Sequence, residues 1–362
     1  MRFAPEPTWR HGDDARTAVL LVNLGTPASP SPGDVRRYLA QFLSDPRVVE
    51  IPAALWWPIL HGAILTTRPR KSAAKYASIW TADGSPLLVW TQRLAEGVQR
   101  AFAERGHDVL VGVGMRYGEP ALGGALDRLK AAGARRVLVL PLYPQYAAST
   151  TATALDTTMT WLQRQRWQPE VRFVNQYHDD DGFIGALAAS VRRHWAAYGR
   201  GGKLVMSFHG VPERSLYLGD PYHCQCHVTA RRLAAALDLP DDAWKLTFQS
   251  RFGKAKWLQP YTEPTLCELA RSGQQRVDVI CPGFACDCLE TLEEIAQEAR
   301  EAFLGAGGRE FHYIPALNAD ESWVAALADI ALRHLQGWPT QPRDSGTLAS
   351  QRERALRLGA TG

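Results

Sequence analysis

Two kinds of apolar pattern alternate along the chain. Val137–Leu142 (VLVLPL) and Val277–Cys281 (VDVIC) are short, nearly unbroken runs, as strands buried on both faces require. Glu119–Ala132 and Asp287–Ala302 carry the helical period instead. In the second of these, Leu289, Leu292, Ile295, Ala296 and Ala299 form one apolar stripe, and Asp287 stands where a helix cap is expected. Strands and helices in alternation predict parallel sheets covered by helices on both faces.

The pattern occurs twice. Ala18–Pro27 (AVLLVNLGTP) resembles Gly202–Pro212 (GKLVMSFHGVP): each is an apolar strand broken by a glycine with a proline two residues on. Arg116, Tyr117 and Gly118, then Glu119 and Pro120, lead through a helical run to Gly133 and a strand opening at Arg136. Arg251, Phe252 and Gly253, then Glu263 and Pro264, lead to Gly273 and Arg276 in the same order. The expectation is two similar doubly wound α/β domains, 16–168 and 169–336, followed by a polar tail, 337–362, loosely held from Pro339 onward. Folds of this kind bind ligands outside the carboxyl ends of their strands.

Composition narrows the partners. The 362 residues are 46% hydrophobic and 22% charged with a net charge of +4, the balance of an ordinary soluble protein. No long basic run occurs, so nucleic acid is not expected as a partner. No window approaches the roughly 20 apolar residues of a membrane-spanning helix. Asp13 and Asp14 precede the first apolar run where a secretory signal would be basic, so a cytoplasmic location is expected. Cys224, Cys226, Cys267, Cys281, Cys286 and Cys288 lack the spacing of a zinc ribbon, and reduced thiols are expected rather than a cluster.

Three features carry candidate chemistry. His209 follows the strand Leu204–Phe208 and precedes the permissive Gly210. It is either a core histidine bonded to backbone or a proton acceptor and metal ligand. Glu290, Glu294 and Glu298 recur every four residues on the helix after Cys281, where like charges repel. They form either a solvated face or a line of carboxylates leading to His209. Ile51–Leu65 is too short and proline-broken to span a bilayer. It is either a core helix or an apolar lip, with Trp56 and Trp57 at an anionic surface beside Arg68, Arg70 and Lys71. Neither a GxxxxGK[ST] loop nor a GxGxxG turn is present, so ATP and dinucleotides are not expected.

These marks together resemble the ferrochelatase family from Arg16 to about Gln336. They are NLGTP (Asn23–Pro27), MRYG (Met115–Gly118), PLYPQY (Pro141–Tyr146), SFHGVPERS (Ser207–Ser215), GDPY (Gly219–Tyr222), FQSRFG (Phe248–Gly253), WLQP (Trp257–Pro260) and DCLETLEEI (Asp287–Ile295). The resemblance implies two Rossmann-like domains with four-stranded sheets around a porphyrin cleft. The implied reaction is ferrous iron insertion into protoporphyrin IX, the terminal step of haem biosynthesis, with release of two protons. Iron and protoporphyrin IX are then substrates, and no cofactor is required.

Carried over by residue, the resemblance makes His209 and Glu290 the catalytic and metal-binding pair and Glu294 and Glu298 an acidic ladder on a π-type helix. Leu24, Arg116, Tyr143, Phe248 and Trp257 match cleft-lining positions, and Arg68, Lys71, Tyr76 and Ser85 match lip positions that meet propionates. Peripheral association with the inner face of the cell membrane is the matching expectation for the lip. Some members have histidine where Cys288 stands. The cysteines of the vertebrate iron–sulfur cluster are missing from the tail, and Ala148 stands at the fourth. A coproporphyrin ferrochelatase, another tetrapyrrole metal chelatase, and a haem-binding carrier without turnover are the alternatives.

Overall fold

The computed structural model describes residues 3–253 and 255–361. In its first half β1 (Arg16–Thr26) leads to α1 (Pro32–Leu43). The helices α2 (Ala53–Ile59) and α3 (Leu65–Ile79) follow, joined by a π-helical turn at Leu60–Ile64, and then α4 (Pro86–Glu104). Next come β2 (Val109–Gly118), α5 (Leu122–Ala131), β3 (Ala134–Pro141), α6 (Thr153–Leu162) and β4 (Glu170–Phe173). The four strands lie parallel in the order β2-β1-β3-β4, and β1 is buried continuously from Thr17 to Asn23, as its apolar run requires.

The second half repeats the plan. It runs through α7 (Asp181–Tyr198), β5 (Lys203–His209), α8 (Glu213–Tyr217), α9 (Tyr222–Ala236), β6 (Trp244–Gln249) and α10 (Thr262–Arg271). After β7 (Arg276–Ile280) come α11 (Leu289–Leu292), a π-helical segment at Glu294–Ala299, α12 (Arg300–Gly305) and β8 (Glu310–Ile314). The sheet order β6-β5-β7-β8 matches the first sheet strand for strand. The chain ends with α13 (Glu321–His334) and α14 (Ser345–Arg357).

Register sharpens the repeat and corrects part of it. Asn23 pairs with Met115, and Phe208 with Phe248. The Met115 N–H donates to the Pro120 carbonyl at 2.7 Å, and the Phe248 N–H to the Pro260 carbonyl at 2.8 Å. Leu24 and His209 are therefore equivalent positions, as the strand sequences imply. Pro120, however, corresponds to Pro260 rather than Pro264. Arg251–Gly253 then belongs to a loop beyond β6, with no counterpart in Arg116–Gly118, which lies within β2.

The expected division at Gln168 also moves. β4 pairs with β3 from Arg136↔Glu170 to Val139↔Phe173, so the first sheet ends beyond that residue. Nor does each half close its own core. One buried cluster joins residues of β1, α4, α7, β5, α9 and α13. Trp323 of α13 is fully buried, with its ring centroid 5.8 Å from Tyr177 and 5.5 Å from Phe183. The tail is tied down as well. The Thr17 hydroxyl donates to the Pro339 carbonyl at 2.6 Å, the Asp108 N–H to the Thr340 carbonyl at 2.7 Å, and Asp344 caps α14.

Candidate active site

A cleft of about 1240 Å³ opens at the carboxyl ends of both sheets. Its walls include Leu24 at the end of β1, Tyr143 after β3, His209 ending β5, Phe248 on β6, Trp257 beyond β6, and Glu290 and Glu294 beyond β7. Ser85, Arg68, Lys71 and Tyr76 line it from the α3–α4 side, and Glu298 from the rim. Two-sheet geometry thus gathers residues as far apart in sequence as Leu24 and Glu298, and the walls around its ionisable groups are largely aromatic or aliphatic.

Arg116 is the exception among the expected lining residues. Its guanidinium turns away to the Thr153 carbonyl (3.1 Å), the Thr153 hydroxyl (2.6 Å) and the Asp45 carboxylate. Asp45 also accepts from the Tyr117 hydroxyl and the Arg47 N–H. Burial opposes the Asp45 charge, but the donors of Thr153, Arg47, Tyr117 and Arg116 hold its carboxyl below the usual range. Arg116 fixes the α1–α2 loop from behind the wall.

His209 is oriented by its own turn. Nδ1 lies 2.6 Å from the Gly210 carbonyl oxygen, which can only accept, so Nδ1 carries the proton and a neutral ring leaves its Nε2 lone pair free. Gly210 is required by a close approach: a Cβ there would lie 2.6 Å from the Gln249 carbonyl oxygen. Its counterpart Gly25 has φ +114°, and a Cβ would lie 1.7 Å from the Tyr117 carbonyl oxygen.

The carboxylates do not form the even stack that a spacing of four suggests. Beyond α11 the backbone bonds i to i+5: the Glu298 N–H donates to the Glu293 carbonyl at 2.9 Å. Residues five apart then share a side, and Glu293 and Glu298 both reach Lys75 of α3, at 3.0 and 2.7 Å. Glu294 faces inward, where it accepts from the Ser250 N–H at 2.6 Å and from the Gln249 carboxamide at 3.3 Å. Burial pushes the Glu294 carboxyl above its ordinary value. The Ser250 bonds and the charge of His209 oppose that shift, and Glu290 reinforces it. Burial likewise raises Glu293 in spite of Lys75. Tyr76 is raised by burial and by Glu290, which puts α3 within electrostatic reach of that carboxylate.

Several positioning residues escaped the sequence reading. Gln249 accepts from the Ser207 hydroxyl (2.7 Å) and donates to the Glu290 carbonyl (2.7 Å), tying α11 to the ends of β5 and β6. Ser250 holds φ +63°, a left-handed backbone uncommon for serine, with its N–H turned to Glu294. Asp287 does not cap the helix; Cys288 does. The Asp287 carboxylate instead accepts from Tyr313, Thr291 and Asn318, at 2.6, 3.0 and 2.7 Å. Ser207, Gln249, Ser250, Asp287, Cys288 and Thr291 all fall within the family-like segments, but no residue spacing announces these contacts.

The lip divides its two tryptophans. Trp57 is 63% exposed, as are Leu55 at 65% and Ile59 at 48%. Trp56 is partly buried against the cluster around Tyr38, and its indole N–H donates to the Leu43 carbonyl at 2.6 Å. Arg68 lies over the Phe252 ring at 4.5 Å, while burial lowers its pKa. Among the described residues, neither Arg68 nor Lys71 has a carboxylate at ion-pair distance, in contrast to Lys75. Cys281, Cys286 and Cys288 are buried, which holds their thiols protonated, Cys286 with a pKa pushed up to about 12.

A family model described as Ferrochelatase matches residues 16–335. The chain is 63% identical over 361 residues to a ferrochelatase of Methylibium petroleiphilum, covering 99% of each. It is 61% identical over 365 residues to one of a Polaromonas species, covering 99% of this chain and all of the relative. Among solved structures, SirB from Bacillus subtilis with Fe3+ superposes with a TM-score of 0.54 at 13% identity, over 90% of this chain and all of SirB. At that identity the likeness is one of fold alone.

Proposed function

The chain belongs to the ferrochelatase family, and from that membership we propose that it inserts ferrous iron into protoporphyrin IX, with His209, Glu290 and Glu294 carrying the exchange of metal for protons. The reaction takes one ferrous ion and a porphyrin bearing two pyrrole N–H groups, and yields haem and two protons. The observation that carries the assignment is the free Nε2 of His209, beside a buried carboxylate, Glu294, whose ionisation it favours. Nε2 accepts the pyrrole protons. Glu290 and Glu294 pass them by way of Glu293 toward the rim at Glu298, and iron travels inward along the same carboxylates. Electrostatic coupling lets each proton that leaves make room for positive charge to arrive.

Arg68 and Lys71 stand at the lip with no carboxylate at ion-pair distance among the described residues, and we read them as partners for the propionates of the porphyrin. We read the exposed apolar face of α2 beside Arg70 and Lys71 as a peripheral contact with the anionic inner face of the cell membrane. No helix among the described residues is long and apolar enough to cross a membrane.

An anaerobic absorbance assay tests the reading. Ferrous iron with protoporphyrin should give the haem spectrum, and coproporphyrin should react at least tenfold less efficiently. His209→Ala should bind protoporphyrin and turn over several orders of magnitude more slowly. A folded His209→Ala protein with near-normal turnover would overturn the site.

A further inference from the structure

A second group of ligand-bearing side chains lies on the opposite end of the second sheet. Asp278 and His312 are paired neighbours on β7 and β8, and His194 of α7 packs over them. One ring nitrogen of each histidine and one Asp278 oxygen all lie within 4.8 Å of one another. Leu204 of β5 pairs with Asp278, and His209 lies five residues further along that strand, about 17 Å away at strand spacing. The catalytic cleft therefore takes no part in this group.

We propose that His194, Asp278 and His312 form a binding site for a divalent transition metal of the zinc type, pinning α7 to the β7–β8 edge.

Three observations carry it. His194 Nε2 is buried and has no hydrogen-bond partner among the described residues, an expensive condition for a ring nitrogen unless something else engages it. Asp278 is 1% exposed and its carboxylate is already oriented, as metal-bound carboxylates are, by outer donors: the Trp195 indole N–H at 2.8 Å and the Gly201 N–H at 2.9 Å. The donor set of two imidazoles and one carboxylate suits zinc and its neighbours, not magnesium or calcium, which take oxygen ligands.

Two features oppose tight binding, and neither removes it. Zinc bonds of about 2.0–2.1 Å would set ligand atoms about 3.4 Å apart, so atoms now up to 4.8 Å apart must close by up to about 1.4 Å. The imidazoles, with centroids 5.3 Å apart and planes at 75°, leave room for that movement. Arg276 lies 3.3 Å from Asp278. It is independently held by the Tyr198 and Gly199 carbonyls at 2.8 and 2.6 Å, and Glu310 lies 3.5 Å from it and 3.9 Å from His312. Glu310 thus offsets the guanidinium charge and adds a carboxylate beside the site.

The test is zinc stoichiometry of the full-length protein, without porphyrin, against a chromophoric chelator of micromolar affinity. Wild type should hold one equivalent more than His312→Gln or His194→Gln, and His209→Ala should keep that equivalent. Cobalt bound to wild type should give the visible absorption of a four-coordinate site, absent from both glutamine variants. A far-ultraviolet circular dichroism spectrum unchanged from wild type shows that the variants are folded. Should His312→Gln not fold, His194→Gln, altered on a partly exposed helix face, decides alone. Equal zinc content in wild type and either folded variant, or loss of the equivalent in His209→Ala instead, would overturn the site. Neither outcome depends on the chelatase reading of the cleft.

Discussion

Replacing each lip tryptophan by serine separates membrane contact from folding. Trp57 is 63% exposed and makes no hydrogen bond that the substitution would break. An aromatic side chain offers at most about 250 Å², so about 160 Å² of Trp57 is available to a lipid surface. At about 25 cal/mol/Å² that is ~4 kcal/mol for full immersion, and about 2 kcal/mol for a ring lying half in the headgroup region. Trp57→Ser should therefore weaken partition onto anionic vesicles about 30-fold and leave the melting temperature unchanged. Trp56→Ser deletes a ring packed beneath the lip together with its bond to the Leu43 carbonyl. A half-buried tryptophan should cost about 2–3 kcal/mol, or about 3–4 °C in melting temperature for a chain of this size. Co-sedimentation with vesicles at low and high salt, beside thermal unfolding, reads both quantities. The reasoning fails if Trp57→Ser sediments like wild type, or if it melts earlier and Trp56→Ser does not.

The remaining expectations concern the carboxylates and the core. Glu294 has a folded pKa above its unfolded value, so the native state binds its proton more tightly, and its ionisation costs stability as pH rises through the folded value. Glu294→Gln should therefore gain in melting temperature relative to wild type between pH 5 and pH 8 while losing turnover; a difference independent of pH counts against the buried charge. Lys75→Met leaves the buried Glu293 carboxylate unpaired and should cost about 1–3 kcal/mol at pH 8. That loss should shrink on acidification, since Glu293 also has a raised pKa; equal loss at pH 5 would show that packing alone is at stake. Trp323→Ala should cost about 3–5 kcal/mol, and calorimetry should show one transition in both proteins, because a shared core denies either half independent stability; two resolved transitions contradict that.

The sheets were legible because burial on both faces leaves an unmistakable apolar run, and the duplication because β1 and β5 keep the same break at Gly25 and Gly210. β4 was not, since EVRF is four residues long with a charge at every other position. The tail helix lacks any buried residue, so no apolar stripe marked it. The resemblance set Glu290 apart and put Glu294 and Glu298 together on a π-type helix, but the observed π-helical turn pairs Glu298 with Glu293 at Lys75 and sends Glu294 inward. Their shared partner Lys75 stands 218 residues from Glu293. Trp56 and Trp57 look alike in sequence, yet consecutive helical residues point about 100° apart, so one can be packed while the other is exposed.

The equivalence of Leu24 and His209 bears on how the product departs. Had duplication preserved the side chain as well as the backbone, two imidazoles would end the central strands that open onto the cleft. Iron coordinated by two protein imidazoles is tied down at both axial positions, which suits a haem that is to be kept. With leucine at the first strand, these strand ends present one imidazole and one hydrocarbon side chain to the cleft. If His209 meets the metal as proposed, one divergent side chain at a duplicated position would incline the cleft toward letting go, the property that separates turnover from storage.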